Sequence, residues 1–233
     1  MLKNLLSLVI SVSIGSSLAY AGENIVTSNE SIKSDIVASD KLSSVLDNLI
    51  SGYVRPELSD EDKKYQAESI AKIDELYFNK QNYNQKELNE LFINFISIGL
   101  NGAADHILNN ENVVIDPNGT NDRGLTPLMA SAASKMDGGN TEYAVKLIKM
   151  GADVNKSTEG TQMSPTSFAA ITDNYKVLAI LIASGAKFMR EDKFDYRPID
   201  YALANNSERS AEILAESLSA RIKKEEAKKN DIK

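Results

Sequence analysis

Histidine, cysteine and paired carboxylates are the side chains whose spacing most often signals chemistry, and this chain of 233 residues offers few of them. It has no Cys, which excludes a disulfide framework, a thiolate metal site and a cysteine nucleophile. Its one His, His106 in Gly102-Ala103-Ala104-Asp105-His106, has no second imidazole with which to build a zinc set or a triad, and reads as an ordinary exposed or capping residue. Carboxylates cluster at Asp60-Glu61-Asp62 and at Asp74-Glu75. General acid–base work would need surroundings that raise a pKa, and the neighbouring residues imply none, so both groups are expected on solvated helix faces. Asn118-Gly119-Thr120 has too few glycines to wrap a phosphate. The expectation is a protein with no catalytic residues, no metal and no cofactor. An active site among residues 30–112 is the remote alternative.

The charge points the same way. Lys and Arg number 26 against 33 Asp and Glu, a formal net charge of −7, the reverse of the basic footprint that nucleic-acid binding needs. The first 21 residues, MLKNLLSLVISVSIGSSLAYA, combine Lys3, an apolar stretch from Leu5 to Ile14 and the small-x-small triplet Ala19-Tyr20-Ala21. They read as a signal peptide cleaved after Ala21. The apolar stretch is too short and Ser-interrupted for a span, and no later run is longer. The sequence thus predicts an exported protein, periplasmic or secreted, with no stable membrane insertion after cleavage.

Positioning elements follow from the hydrophobic pattern. Ile32, Ile36, Val37, Val45, Leu46, Leu49 and Ile50 recur at helical spacing. Ser59, with Asp62 three residues on, marks a helix start running through Tyr65, Ile70, Ile73 and Tyr77. Lys86 to Ile98 is a further amphipathic helix. Residues 22–112 are therefore read as an N-terminal helical region, with room for a degenerate capping repeat.

Beyond it the chain has a period. Prolines at 127, 165 and 198 open similar segments, at intervals of 38 and 33, and Met150-Gly151-Ala152 returns as Ser184-Gly185-Ala186, 34 residues later. A repeat of this length implies helical hairpins stacked into a solenoid, because one hairpin cannot bury its apolar face alone. Proline suits the first turn of a helix, and Gly151 and Gly185 suit the left-handed position that ends one.

Gly124, Thr126-Pro127-Leu128, Leu147-Ile148 and Gly151-Ala152-Asp153-Val154-Asn155 together resemble the ankyrin repeat. Ser164-Pro165, Ala169-Ala170, Leu181-Ile182 and Gly185-Ala186 repeat the pattern, and Pro198, Ala202, Ile213 and Leu214 carry a last, glycine-less copy. The resemblance covers residues 120–218, in units of about 120–155, 159–188 and 192–218, followed by a charged tail at 219–233. It implies an all-α, ankyrin-like solenoid with an N-terminal helical cap. The family's histidine after the Thr-Pro-Leu triplet is replaced by Met129, Ser167 and Asp200. The first unit also holds extra residues around Asp137–Asn140, and the loop before Ser164 one more.

In such stacks partners touch the loop tips and the exposed side of the first helix. Carried onto this sequence, the residue before each helix-opening dipeptide is Leu125, Met163 or Tyr196, all apolar or aromatic. Ala133, Ser134, Ile171, Thr172, Ala204 and Asn205 follow on the concave side, and Lys156, Thr158, Glu159, Asp192, Lys193 and Phe194 decorate the tips. The implied function is recognition of another protein, not of nucleic acid. The alternative is a structural or assembly factor of a bacterial envelope acting through its N-terminal helices.

Overall fold

The computed structural model describes residues 57–134 and 141–230. The expected leader, the helical pattern of residues 30–50 and the extra residues at 137–140 lie outside them. Among the described residues every regular element is helical.

Helix α1 (Asp60–Ile73) begins where Ser59 caps it, its side chain accepting from the Asp62 amide at 3.1 Å. It runs into a π-helical turn, Asp74–Phe78, whose wider ring is closed by the Asn79 amide on the Asp74 carbonyl. Helix α2 (Gln85–Ile98) starts under an Asn84 cap and stops at Gly99, which takes the left-handed φ of 75°. Helix α3 (Asn101–Leu108) folds back on α2. The Gly102 amide donates to the Gln66 side chain of α1 at 2.9 Å, at a point where a Cβ would collide with that side chain. Glycine therefore lets α1 close against α3.

Three hairpins follow. They are α4 (Pro127–Ala133) with α5 (Thr141–Lys149), α6 (Pro165–Ile171) with α7 (Tyr175–Ala183), and α8 (Pro198–Ala204) with α9 (Glu208–Asn230). Each first helix has proline in its first position, and α2, α4, α6 and α8 pack one on the next in a single row. Helices α5, α7 and α9 form the parallel second row. Gly151 and Gly185 have φ of 92° and 87°, the left-handed stops that the sequence predicts. At Leu218, where a third such glycine would stand, the helix continues, and the charged residues 219–230 lie along the end of α9.

The core lies between the rows. Phe92, Phe95, Leu128, Tyr143, Leu147, Leu178 and Leu181 are almost wholly buried within it, and Phe92 meets Tyr143 edge-on with ring centroids 5.9 Å apart. Alanines at 130, 132, 169, 170 and 202 are fully buried where first helices approach one another. A larger side chain at these points would force the row apart.

Asparagine side chains tie successive turns together. Asn118 Nδ2 donates to the Gly151 carbonyl at 3.0 Å, and its Oδ1 accepts from the Asp153 amide at 2.7 Å. Asn155 repeats the pattern on Gly185 and Lys187, at 3.5 and 2.7 Å. Met189 stands at the next place in this register, where the ladder ends.

Candidate functional site

The loop tips are built by one local rule carried out with three different residues. At the base of the first tip, Asn121 accepts through Oδ1 from the Leu125 amide at 3.0 Å, while its own amide donates to the Leu125 carbonyl at 3.1 Å. In the second tip Thr158 does the same for Met163, at 3.1 and 3.0 Å, across one additional residue. In the third, Asp192 clasps Tyr196 at 3.2 and 3.0 Å. The residue before each clasped position is left-handed: Gly124, Gln162 and Asp195 have φ of 72°, 58° and 62°. Each turn therefore delivers its apolar residue to an equivalent place, immediately ahead of Thr126, Ser164 or Arg197. The second and third tips are also joined, by the Lys193 amide donating to the Thr161 carbonyl at 3.0 Å.

The position of the family's missing histidine, three residues into each first-helix cap, is filled by three chemistries. Met129 brings its sulfur to the Thr126 amide at 3.5 Å, Ser167 meets the Ser164 hydroxyl at 3.1 Å, and Asp200 accepts from the Arg197 amide at 2.8 Å. All three substitutes reach back to the cap. The Arg197 guanidinium also donates to Asp200 at 3.0 Å and, with a backbone hydrogen bond, holds that carboxyl below the usual carboxylate range.

The nine residues expected to form the binding face are not equally available. Tyr196 is 51% exposed, and Ala204 and Asn205 are also exposed. Leu125, Met163, Ala133 and Ile171 are half-buried, and Leu125 packs against the core. Thr172 is half-buried and its hydroxyl donates to the Ala132 carbonyl at 3.0 Å, so it fastens one hairpin to the preceding one. Ser134 is 2% exposed and faces inward. Two tip residues also prove to be internal supports: Asp192 is buried, and Thr158 is spent on its turn. Two residues beyond Asp192 stands Phe194, 57% exposed, its amide held by Asp192 Oδ1 at 2.8 Å. Tyr201 donates its hydroxyl to the other oxygen of Asp192 and stacks, tilted, 5.5 Å from the Tyr196 ring. Burial and that hydrogen bond push the Tyr201 phenol up to about 12. The tip of the last hairpin is thus a pair of exposed aromatic rings on a loop braced by a buried carboxylate.

His106 and the carboxylates of the N-terminal helices meet in an unforeseen way. The π-helical turn brings Asp74 to His106, Oδ1 to Nε2 at 2.8 Å, and sets Phe78 against the imidazole with centroids 5.3 Å apart. His106 is therefore part of the seam between α1 and α3 rather than a simple exposed residue. Asp60 and Glu61 lie on the exposed first turn of α1, as expected.

The architecture is that of an all-α helical solenoid of ankyrin-like hairpins. Within it, residues 123–159, the α4–α5 hairpin with its flanking turns, match the ankyrin repeat family model. Comparison with curated proteins gives no match. The ankyrin repeat is a protein-interaction module without catalytic chemistry of its own. No described helix is long and apolar enough to cross a membrane.

Proposed function

We propose that this is an exported module that recognises another protein through the tips and concave side of its hairpins, working in the periplasm or as a secreted protein. The reading rests on one observation above the others: Phe194 and Tyr196 are exposed on a turn that buried Asp192 braces by hydrogen bonds, itself held by half-buried Tyr201. Exposed aromatic rings fixed before contact lose little entropy on binding and serve as anchors. Leu125 and Met163 extend the surface along the equivalent places of the earlier turns, and Ala204 and Asn205 border it. Recognition is by surface complementarity, with no covalent step. The leader-like sequence of residues 1–21 supports export.

The test is capture of a partner from envelope and host extracts by the full chain, beside a variant carrying Leu125→Asp, Met163→Asp and Tyr196→Asp. Circular dichroism verifies that both are folded. Loss of the captured protein from the variant is the expected result. Retention by the variant moves binding to the N-terminal helices and favours the envelope-assembly role. Amino-terminal sequencing of protein recovered from outside the cytoplasm checks export, with Gly22 expected as the first residue.

A further inference from the structure

Two structural requirements meet at residues 118 and 119. Asn118 is the clasp between turns, its side chain holding the Gly151 carbonyl at 3.0 Å and the Asp153 amide at 2.7 Å. Gly119 is set by packing: a Cβ there would stand 2.7 Å from Asn89 Nδ2 and 3.1 Å from Asp116 Oδ2. Asn89 is buried and pinned, its Oδ1 accepting from the Asp116 amide at 3.1 Å, so it cannot swing aside freely. The joint between the N-terminal helices and the first hairpin thus calls for asparagine followed by glycine. In such a pair the side-chain amide is readily attacked by the next backbone nitrogen, because glycine adds no side chain to hinder the approach. The sequence has one other pair of this kind, Asn101-Gly102.

The reaction needs only water. The Gly119 nitrogen, its proton lost to solvent, bonds to Asn118 Cγ, and the bond from Cγ to the side-chain nitrogen breaks, releasing ammonia. Water then opens the cyclic imide at either carbonyl. One opening leaves aspartate, and the other leaves isoaspartate, with the main chain rerouted through the former side chain. In the folded chain both reacting groups are held away from this course. The Asn118 amide group reaches forward to partners 33 and 35 residues on, and the Gly119 N–H donates to the Asp116 carbonyl at 3.2 Å. Both residues are only half-buried, so the protection comes from geometry and not from exclusion of water.

We propose that Asn118 is a deamidation site, closed by folding and opened by unfolding, whose conversion permanently weakens the joint it clasps. Neither product restores the clasp. A carboxylate has no N–H to give the Gly151 carbonyl, and isoaspartate lengthens the main chain while shortening the branch that must reach across. The new charge also falls close to Asp116, whose Oδ1 accepts from the Asn118 backbone amide at 2.8 Å. Lys156, on the Asn118 carbonyl at 2.6 Å, offsets that charge without replacing the donor that Gly151 loses. A long unfolding episode therefore leaves a mark that refolding does not erase, and a reversible loss of structure becomes irreversible. Ageing at Asn118 is independent of partner recognition at Leu125, Met163 and Tyr196.

Peptide mapping by mass spectrometry of the full chain, aged in mildly alkaline buffer, tests it. The folded chain is expected to gain aspartate and isoaspartate at position 118 at least about tenfold more slowly than the same chain in guanidinium chloride. Gly119→Ala is expected to slow ageing in guanidinium, where only the local chemistry acts. The consequence is read in an Asn101→Ala background, which leaves one Asn-Gly pair and removes a side-chain oxygen that is buried without a partner. Aged in guanidinium and refolded, this chain is expected to have a lower urea midpoint than a fresh sample taken through the same cycle. Asn118→Asp, made directly, should show a comparable drop. Equal ageing of folded and denatured chains, undiminished ageing of Gly119→Ala in guanidinium, or an unchanged midpoint in both the aged chain and Asn118→Asp each overturns the proposal.

Discussion

Asn118 clasps the turn one repeat ahead of it: its amide nitrogen donates to the Gly151 carbonyl at 3.0 Å, and its oxygen accepts from the Asp153 amide at 2.7 Å. One side chain thus satisfies a carbonyl at a helix end and an amide in the adjoining turn. Without it, neither group keeps its partner within the fold. Asn118→Ala is expected to cost about 1–2 kcal/mol, seen as a lower urea midpoint. Asn155→Ala, which acts on Gly185 and Lys187 through one longer bond, should cost less.

The left-handed residues of the tips make a contrast that a stability measurement can read. Gly124→Ala puts a Cβ where φ is 72° and is expected to lose about 1 kcal/mol. Gln162 already bears that strain at φ 58°, so Gln162→Gly should be neutral or gain a few tenths of a kcal/mol, roughly the difference between relieved strain and added chain entropy. A large loss on Gln162→Gly would show that its side chain supports the loop.

Ser210 stands in α9 where Tyr143 and Val177 stand in the two earlier hairpins, and it is fully buried with no partner for its hydroxyl. A buried hydroxyl in that state opposes folding. Ser210→Ala is expected to raise stability by about 1 kcal/mol, measured as a higher urea midpoint at constant slope.

Acid and alkali should each find a different part of the last hairpin. Asp200 has a depressed pKa in the folded chain because Arg197 hydrogen-bonds to it. Its stabilising effect is therefore complete above the ordinary carboxylate range and is lost as the pH falls through the depressed value. Asp200→Asn should lower the urea midpoint at neutral pH and shrink the further loss seen in acid. Tyr201 is shifted the other way, up to about 12, by burial and by Asp192. The unfolded phenol ionises first, so stability falls as the pH rises from about 10 towards the folded value. Tyr201→Phe should remove one late-ionising component from the ultraviolet phenolate titration.

Much of the architecture was legible because it depends on neighbours in sequence. Ser59 caps α1 through Asp62, three residues away, and the prolines at 127, 165 and 198 each start a helix with no help from distant groups. Gly151 and Gly185 end helices for equally local reasons. What escaped depends on pairing across the fold. Asp192 looks like a surface carboxylate until Tyr201 and the amides of Phe194 and Tyr196 are seen to surround it. Ser134 and Thr172 look concave and polar, but one is buried and the other holds Ala132. His106 gave no hint of Asp74, because the two meet only across the packed seam of α1 and α3, 32 residues apart in sequence.

Met189 bears on how an array of this kind changes its length. A new hairpin needs a hook on the hairpin already present, and Asn118 and Asn155 are such hooks, whereas a methionine thioether cannot hold an amide and a carbonyl at once. A duplicated unit placed beyond α9 would therefore arrive at a turn with nothing to grip it, while one inserted behind Asn155 would be seized on arrival. Extension by this clasp is thus favoured behind Asn155 rather than beyond Met189.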